Sequence, residues 1–414
     1  MNRTRVLWLS HLLPWPPKGG LQQRSYYLMR AVGRRHDLRV VAFSQRAHQA
    51  DPDCVRAAIA ALSDFCIVQD AFPLPSDKHS HGKQLLAVQS LLPGPPYTIR
   101  WGHDVQYGSA VRSAIKTFHP DVIHVDTVSL ANYVGQHPEA PAVLNHHNIE
   151  SHMLARRAER EQNVLRMAYF WQEARRLARY ERRVADRFSA HLVCSELDRQ
   201  RLLEIVDGAN VAIVPNGVDL EYFRPADLDR VEQHSLVFVG GLSWYPNLEA
   251  MRFFLREVWP KIKNRYPATD LRIIGRDAPP DLKALAANDG RVHFLGFVDD
   301  IRPIVHKSAV YVCPIRDGGG TKLKMLDAMA MGKAIVAHPI ACEGLQVVDR
   351  CQVLLAESGQ SIADRVFELF ESDALRSTLS RNARLHVERY FSFEMIGNDL
   401  ADTIALLGTQ CARR

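Results

Sequence analysis

A glycine-rich loop flanked by basic side chains is the segment best suited to chemistry. Gly318, Gly319 and Gly320 separate an apolar run, AVYVCPI, from a helical one, KLKMLDAMAM. Glycine lets a backbone approach a ligand closely, and free N–H groups at a helix start bind anions. Lys322 and Lys324 oppose the helix dipole unless an anion such as a phosphate occupies the site. The loop therefore predicts an anion site; the alternative is a glycine-rich turn with solvated lysines.

The residues around this loop suggest a division of roles. We expect Thr321 to cap the helix, with Lys322 and Lys324 as its first and third residues. Helix geometry then separates the two lysines by about 200°, so we expect one of them to face solvent. Lys324 shares a face with Asp327, which favours Lys324 as the working partner of Arg316, a bidentate phosphate ligand. Asp327 would reach a hydroxyl attached to the same phosphate.

Several other kinds of site are disfavoured. The spacing of a phosphate-binding P-loop is absent, and no G-x-G-x-x-G follows the first strand. The seven cysteines form no C-x-x-C pair, which predicts reduced thiols in a cytosolic protein without a zinc site. A net charge of +6 suits an anionic ligand or membrane surface and is too small to indicate nucleic acid binding. The N-terminal segment RVLWLS is expected to be a strand and not part of a signal peptide.

Strands and helices alternate along most of the chain and must position these residues. Short apolar segments separated by amphipathic ones predict βα units with parallel sheets, and the length predicts two domains of roughly 150–200 residues. Both halves open with a strand that runs into a double glycine, Gly19–Gly20 and Gly240–Gly241. The fold class is therefore α/β with two doubly wound halves. Residues from about 150 to 188 are expected to form a long helical region.

The segment GGGTKLKMLDAMAMGKAIVAHPIACEGL resembles the donor site of GT-B glycosyltransferases, in particular retaining glycosyltransferase family 4 (glycosyl transferases group 1). PWPPKGGLQQRSYYLMRAV, HHNIES, VPNGVDLEYFRP and VFVGGLSWYPNLEAMRFF are similar to other parts of that family. The resemblance implies two Rossmann-like domains facing a cleft. Residues 1–215 would form the acceptor-side domain, with a helix of about 392–414 packing back on it. Residues 216–391 would bind a nucleotide-diphosphate sugar.

The resemblance also implies metal-independent transfer without a cofactor and with retention of configuration. It assigns donor binding to a set of residues that we carry forward: Gly20, Gly241, Gly318, Gly319, Gly320, Thr321, Lys322, Leu323, Asp327 and Glu343. Asp327 replaces the second glutamate of the family's E-x7-E motif, and Gly319 replaces the first. Gly241 and Pro246 stand where the family often has an Arg–Lys diphosphate clamp, so Arg316 and Lys324 are the candidates for that charge.

Three further side chains are candidates with open alternatives. His147 is expected to end a buried strand, as the family's matching histidine does, and to meet the sugar near the reacting carbon; it could instead only cap a loop. Glu343 would contact the donor sugar or lie on the surface as a solvated carboxylate. Gly20 would admit a diphosphate or acceptor, or simply form a tight turn. His146 is expected to pack in the interior, and Glu150 to orient the loop.

The arginine-rich segment FWQEARRLARYERRVADRF predicts a basic amphipathic helix. Such a helix can lie on anionic lipid, which would suit a lipid-linked acceptor, or pack on the core with a solvated arginine face. The function favoured is sugar transfer from a nucleotide-diphosphate sugar to a glycan or lipid-linked acceptor, at the cytoplasmic face of the membrane. The alternatives are a sugar-nucleotide epimerase of the same fold, and a non-catalytic nucleotide-sugar-binding partner in a glycan assembly complex.

Overall fold

A computed structural model describes residues 3–411 except 48, 78–80, 137, 227–230 and 319, and leaves out the side chains of 410 and 411. The chain divides into two compact units. The first unit comprises Met1–Pro215 together with Phe393–Arg414, and the second comprises Asn216–Ser392. Each unit is built on one parallel sheet, which confirms the α/β fold class with two Rossmann-like units.

The sheet of the first unit has the order β3-β2-β1-β4-β5-β6-β7. Its strands are β1 (Arg5–Ser10), β2 (Asp37–Ser44), β3 (Ile67–Pro73), β4 (Val122–Val125), β5 (Ala142–Asn145), β6 (Ala190–Val193) and β7 (Val211–Ile213). Successive residues Val6 to Leu9 are fully buried, as expected for a parallel sheet covered on both faces. The strand order reverses between β1 and β4, which is where such sheets bind ligands.

Eight α-helices before residue 215 belong to this unit in the part of the chain described. They are α1 (Gly20–Arg35), α2 (Pro52–Leu62), α3 (Gly82–Ser90), α4 (Tyr97–Trp101), α5 (Val105–Phe118), α6 (Glu150–Arg160), α7 (Val164–Ala185) and α8 (Glu196–Leu203). The long helical region expected from about 150 to 188 is therefore present, as two helices, α6 and α7, that a short break separates. The side chain of Asn163 accepts a hydrogen bond from the Arg166 amide and starts a new helix after the extended residue Glu161.

The C-terminal helix α16 (Phe393–Cys411) packs against α1 in the first unit. The Phe393 ring stacks on Tyr27 with centroids 4.6 Å apart, and a Cβ added at Gly397 would lie 2.4 Å from the Ala31 methyl group. The imidazole Nε2 of His36, at the end of α1, lies 2.9 Å from the Ala401 carbonyl oxygen. The close approach at Gly397 explains why a glycine serves inside this helix.

The second unit has the strand order β10-β9-β8-β11-β12-β13, again parallel. The strands are β8 (Glu232–Val239), β9 (Asp270–Ile274), β10 (Val292–Gly296), β11 (Ser308–Cys313), β12 (Ala334–Ala337) and β13 (Leu354–Leu355). The helices are α9 (Tyr245–Phe253), α10 (Trp259–Arg265), α11 (Pro280–Ala284), α12 (Arg302–Lys307), α13 (Leu323–Ala330), α14 (Gly359–Glu371) and α15 (Asp373–Tyr390); a π-helical turn, Phe254–Val258, joins α9 to α10. Here the order reverses between β8 and β11.

Helix α13 begins later than its sequence suggests. Lys322, and not Thr321, is the N-cap residue, and Lys324 is therefore the second helical residue and not the third. The predicted C-terminal end is confirmed, since Gly332 follows the C-cap Met331 with φ of 64° and so adopts the left-handed conformation that glycine favours.

None of the helices in the described ranges combines the length and the apolar composition that a membrane crossing demands.

Candidate functional site

Two glycine loops meet at the point in the second sheet where strand order reverses. Gly240 and Gly241 follow β8, and the loop of residues 314–322 follows β11, its neighbour in the sheet. A Cβ added at Gly318 would lie 3.2 Å from Pro246 Cγ, in the first turn of α9, and 3.6 Å from the ring of Trp244, the N-cap residue that follows the first loop. Gly318 has φ of 98° and Gly320 has φ of 65°, backbone conformations that residues other than glycine rarely adopt.

Lys324 connects α13 to the first of these loops. Its Nζ donates a hydrogen bond to Asn247 Oδ1 at 2.6 Å, and Asn247 Nδ2 donates to the Gly241 carbonyl oxygen at 2.8 Å. The ammonium also lies 4.9 Å from the centroid of the Phe238 ring. Burial, together with the neighbouring charge of Lys322, lowers the pKa of Lys324 to about 8, against the opposing effects of Cys313 and Asp327. Lys324 thus keeps a cation close to both glycine loops.

Lys322 has a different role from the one its sequence position suggests. Its side chain is buried, and Nζ donates to the carbonyl oxygens of Gly320 at 2.8 Å and Gly318 at 3.2 Å. The expectation that one of the two lysines faces solvent was wrong. Lys322 folds back because it caps carbonyl groups of its own loop, which stabilises the left-handed glycines.

Thr321 and the backbone around it complete this loop. The Thr321 carbonyl accepts a hydrogen bond from Asn216 Nδ2 at 3.2 Å, which explains the asparagine in the VPNGVD segment. Thr321 Oγ1 is buried and has no hydrogen-bond partner among the described residues. A buried hydroxyl without a partner is costly, so it is a candidate contact for a bound ligand. Gly319, also assigned to the donor site, lies outside the described residues.

Arg316 lies against helix α9. Its guanidinium stacks over the Phe253 ring at 3.7 Å from the centroid, and the residue is exposed. Asp317, which the sequence analysis did not select, is buried and accepts hydrogen bonds from Tyr245 Oη at 2.8 Å and from the Gly318 amide at 2.6 Å. The joint action of Arg316 and Lys324 therefore stays a prediction, with Arg316 on Phe253 and Lys324 on Asn247 of the same helix.

The other residues assigned to the donor lie along the same sheet edge. Leu323 is the first residue of α13, and Asp327 is buried one turn after Lys324. Glu343 is half-buried and follows the 3-10 turn Pro339–Cys342 after β12, the strand next to β11. Gly241 is exposed, with open space where a Cβ would point. In the second unit these assignments thus share one edge of one sheet.

A second polar cluster lies where the order of the first sheet reverses. His11 follows β1, Asp126 follows β4, and His147 follows β5 with one residue between. All three are buried. His147 Nε2 is 3.2 Å from Asp126 Oδ1, and His11 Nδ1 is 3.5 Å from Asp126 Oδ2. The Asp126 carboxylate also accepts hydrogen bonds from Ser25 Oγ at 2.9 Å and Asn145 Nδ2 at 3.1 Å.

The electrostatics of this cluster favour an ionised aspartate beside two imidazoles. Burial would raise the pKa of Asp126, but His147 and His11 outweigh it, so the pKa lies well below its usual value. Burial lowers the pKa of His147, against the opposing effect of Asp126. His147 is therefore largely neutral at pH 7, held beside a carboxylate that would stabilise it on protonation. Gly20 is exposed at the start of α1 and makes no described contact with this cluster.

Nearby residues of the first unit are interior partners. His146 is buried, with Nε2 at 3.1 Å from His191 Nδ1, as its expected packing role requires. Glu150 begins α6, where burial raises its pKa to about 7 against the effect of His11. Glu181 of α7 accepts a hydrogen bond from the Ser151 hydroxyl, and burial raises its pKa to about 8.

His11, Asp126 and His147 also have the spacing of metal ligands. One ligand atom from each lies within 4.8 Å of the others, and this is the group of that kind found among the described residues. Two imidazoles and a carboxylate suit Zn²⁺ or Fe²⁺ in chemistry. The prediction of a metal-free protein did not consider this group and stays a prediction.

Sequence patterns missed His11, Asp126, Asn247 and Asp317. His11, Asp126 and Asn247 contact partners that are distant in sequence, so no local spacing relates them to those partners. Asp317 lies beside the glycines of the loop, but its side-chain partner Tyr245 is likewise distant in sequence. The one available signal was position, since His11 and Asp126 both come directly after short apolar strands.

Two family models match the chain. Residues 18–222 match "Glycosyltransferase Family 4", and residues 233–372 match "Glycosyl transferases group 1". The chain therefore carries a glycosyltransferase family 4 domain followed by a glycosyl transferases group 1 domain.

Relatives with assigned names match over part of the chain. The phosphatidyl-myo-inositol mannosyltransferase of Mycobacterium tuberculosis (strain ATCC 25618 / H37Rv) is 26% identical over 221 residues, which are 50% of this chain and 56% of that protein. The chain thus spans about half the length of the curated relatives that it matches.

Solved structures share the fold over nearly the whole chain. Sucrose-phosphate synthase from Thermosynechococcus elongatus superposes with a TM-score of 0.74 at 15% identity, covering 98% of this chain and 100% of that one. Anabaena Alr3699/HepE, solved in complex with UDP, superposes with a TM-score of 0.68 at 16% identity, covering 97% and 100%. At such identities the likeness establishes the GT-B fold alone.

Proposed function

We propose that this protein is a retaining glycosyltransferase that moves a sugar from a nucleotide-diphosphate sugar to a glycan or lipid-linked acceptor. One observation supports this most: Lys324 and two glycine loops converge where the second sheet reverses its strand order. Parallel α/β sheets bind phosphorylated ligands at this point. The family domains and the name of the mycobacterial relative, a mannosyltransferase for a phosphoinositide lipid, support the same reaction class.

In this proposal the second unit binds the donor. Amide groups of the loop of residues 314–322 and the Lys324 ammonium hold the diphosphate, and Asp327 accepts hydrogen bonds from the ribose hydroxyls. As the bond from sugar to phosphate breaks, negative charge grows on the leaving diphosphate, and a positioned cation stabilises that charge. Arg316 is the second candidate for this charge.

The first unit supplies His147 as the candidate catalytic residue. A neutral imidazole can donate one hydrogen bond to, or accept one from, a sugar hydroxyl. Asp126 stabilises positive charge if the imidazole takes up a proton. Asp126 thereby acts as a positioning residue for His147, with Ser25 and Asn145 fixing the carboxylate.

The test begins with a thermal-shift screen of UDP, GDP, ADP and dTDP sugars, since a ligand that binds the folded state raises its melting temperature. The stabilising donor is then incubated alone and with lipid-linked or glycan acceptors, and products are identified by mass spectrometry. Transfer that persists in EDTA is the expected result.

Each alternative has its own outcome. An epimerase would convert the free donor to its isomer without acceptor. A non-catalytic partner would bind the donor and yield neither transfer nor hydrolysis. A strict requirement for added Mn²⁺, Mg²⁺ or Zn²⁺ would contradict the metal-free diphosphate site.

A further inference from the structure

Large aliphatic side chains are exposed at one part of the first unit. They come from α3, from the residues just after it, and from the first turn of α7. Their exposed fractions run from 54% to 82%: Leu85, Val88, Leu91, Leu92, Val164 and Leu165. Single exposed leucines are ordinary in a soluble protein, but a group from neighbouring elements marks an interaction site.

Contacts between α3 and α7 bring these side chains together. Ser90 Oγ, at the end of α3, lies 2.9 Å from Tyr169 Oη of α7. Arg176 donates hydrogen bonds to the carbonyl oxygens of Leu92 at 3.1 Å and Gly94 at 2.7 Å. Leu165 precedes Tyr169 by one helical turn, about 6 Å along the axis. Leu91, Leu92 and Leu165 therefore flank the same stretch of α7.

A basic groove continues along α7 from this apolar group. It encloses about 630 Å³ and is lined by Ala168, Trp171, Gln172, Arg175, Arg176 and Arg179. Residues 168, 171, 172, 175 and 179 recur at helical spacing, so they share one face. Arg175 and Arg179 are exposed, and the Arg175 guanidinium lies 5.8 Å from the centroid of a Trp171 ring. The six aliphatic residues and this groove are called the α3–α7 surface below.

We propose that the α3–α7 surface docks the protein on an anionic lipid bilayer. Aliphatic side chains and Trp171 would enter the boundary between headgroups and acyl chains, while Arg175 and Arg179 pair with lipid phosphates. The carboxylate of Glu173 does not repel anionic lipid, because it is buried and accepts hydrogen bonds from Arg176 and the Tyr97 amide. Glu159 and Glu161, at the end of α6, are the acidic residues closest in sequence to Val164 and Leu165.

The charge of the α3–α7 surface favours a bilayer over a second copy of this chain as its binding partner. A two-fold dimer through this surface would place the same patch on both sides, and so set Arg175 and Arg179 against their own copies. A bilayer with anionic lipid offers the opposite charge. This inference stands on the first unit alone and does not depend on which donor the second unit binds.

The test is co-sedimentation of the full chain with vesicles of phosphatidylcholine and phosphatidylglycerol in equal parts, and with pure phosphatidylcholine. We expect binding to the anionic vesicles that weakens as NaCl is raised. The variant Leu91→Ser/Leu92→Ser/Leu165→Ser should bind at least about tenfold more weakly. Arg175→Gln/Arg179→Gln should bind about 25-fold more weakly, since each of the two basic residues near such a surface contributes roughly fivefold.

Matched changes elsewhere serve as controls. Leu385 is 56% exposed and Arg381 is exposed, both on α15 of the second unit. Leu385→Ser and Arg381→Gln should bind vesicles as the parent does, and melting temperatures should show that every variant is folded. Absent binding of the parent, equal binding of surface and control variants, or a dimer that only the surface variants dissociate would each overturn the proposal.

Discussion

Lys324 is the residue on which the proposed donor site depends most. Its pKa of about 8 is below that of an ordinary lysine, so the free protein loses this positive charge as the pH rises through 8. A bound diphosphate favours the protonated form and raises the pKa. Binding therefore takes up a proton above pH 8, and donor affinity should fall by up to about tenfold per pH unit there.

Calorimetric titration of a nucleotide sugar at pH 7.5, 8.5 and 9.5 measures this dependence. Lys324→Met should bind weakly at all three pH values, and Lys324→Arg should bind with little pH dependence because arginine keeps its proton. Parent affinity that is unchanged between pH 7.5 and 9.5 would remove Lys324 from the diphosphate site.

Asp327 gives a second prediction at the same scale. Losing a charged hydrogen-bond partner costs about 1.5–3 kcal/mol, so Asp327→Ala should weaken nucleotide binding roughly ten- to a hundredfold. Asp327→Asn tests whether charge or shape matters. Unchanged affinity in folded Asp327→Ala protein, checked by circular dichroism, would refute the assignment to the ribose.

At the scale of elements, the packing of β8 against α13 leaves room only for glycine at position 240, whereas position 241 has space for a side chain. A Cβ at Gly240 would lie 2.3 Å from Lys324 Nζ and 2.7 Å from Asn247 Nδ2. A Cβ at Gly241 would meet nothing within 4 Å. Gly240→Ala should therefore displace the Lys324–Asn247 pair and destabilise the protein by about 1–3 kcal/mol.

Gly241→Ala is the matched control for stability. It should leave the free energy of unfolding within about 0.5 kcal/mol of the parent, since it adds a methyl group in open space. Urea denaturation followed by fluorescence compares the two variants. If Gly240→Ala is as stable as the parent, Lys324 and Asn247 can move aside without cost and the predicted steric conflict is absent.

The elements also show what sequence patterns can predict. The strands that carry the sites were identifiable because a parallel sheet buried on both faces gives short, nearly continuous apolar runs. The position of the glycine loop followed from the same alternation. The start of α13 could not be predicted in this way. The conformation of the loop lets Lys322 fold back on the carbonyl groups of Gly318 and Gly320, which local sequence does not reveal.

Contacts between distant segments set the remaining features. Asp126 lies near His11 and His147 only because β1, β4 and β5 are adjacent in the sheet, an order that alternation does not specify. The pairing of Lys324 with Asn247 likewise depends on α13 and α9 meeting across β8 and β11. Local spacing of motifs therefore predicted the glycine loop and missed the residues that contact it.

At the scale of the whole molecule, each unit places its polar residues where its own sheet reverses strand order. The central claim is that the second unit binds the nucleotide and the first does not. Hydrogen–deuterium exchange with mass spectrometry, with and without the nucleotide that the screen selects, tests this claim most directly. We predict slower exchange in peptides covering residues 239–248 and 314–330, and the same slowing should be lost in Lys324→Met. Slower exchange confined to peptides around His11, Asp126 and His147, or in no peptide at a saturating nucleotide concentration, would contradict the account.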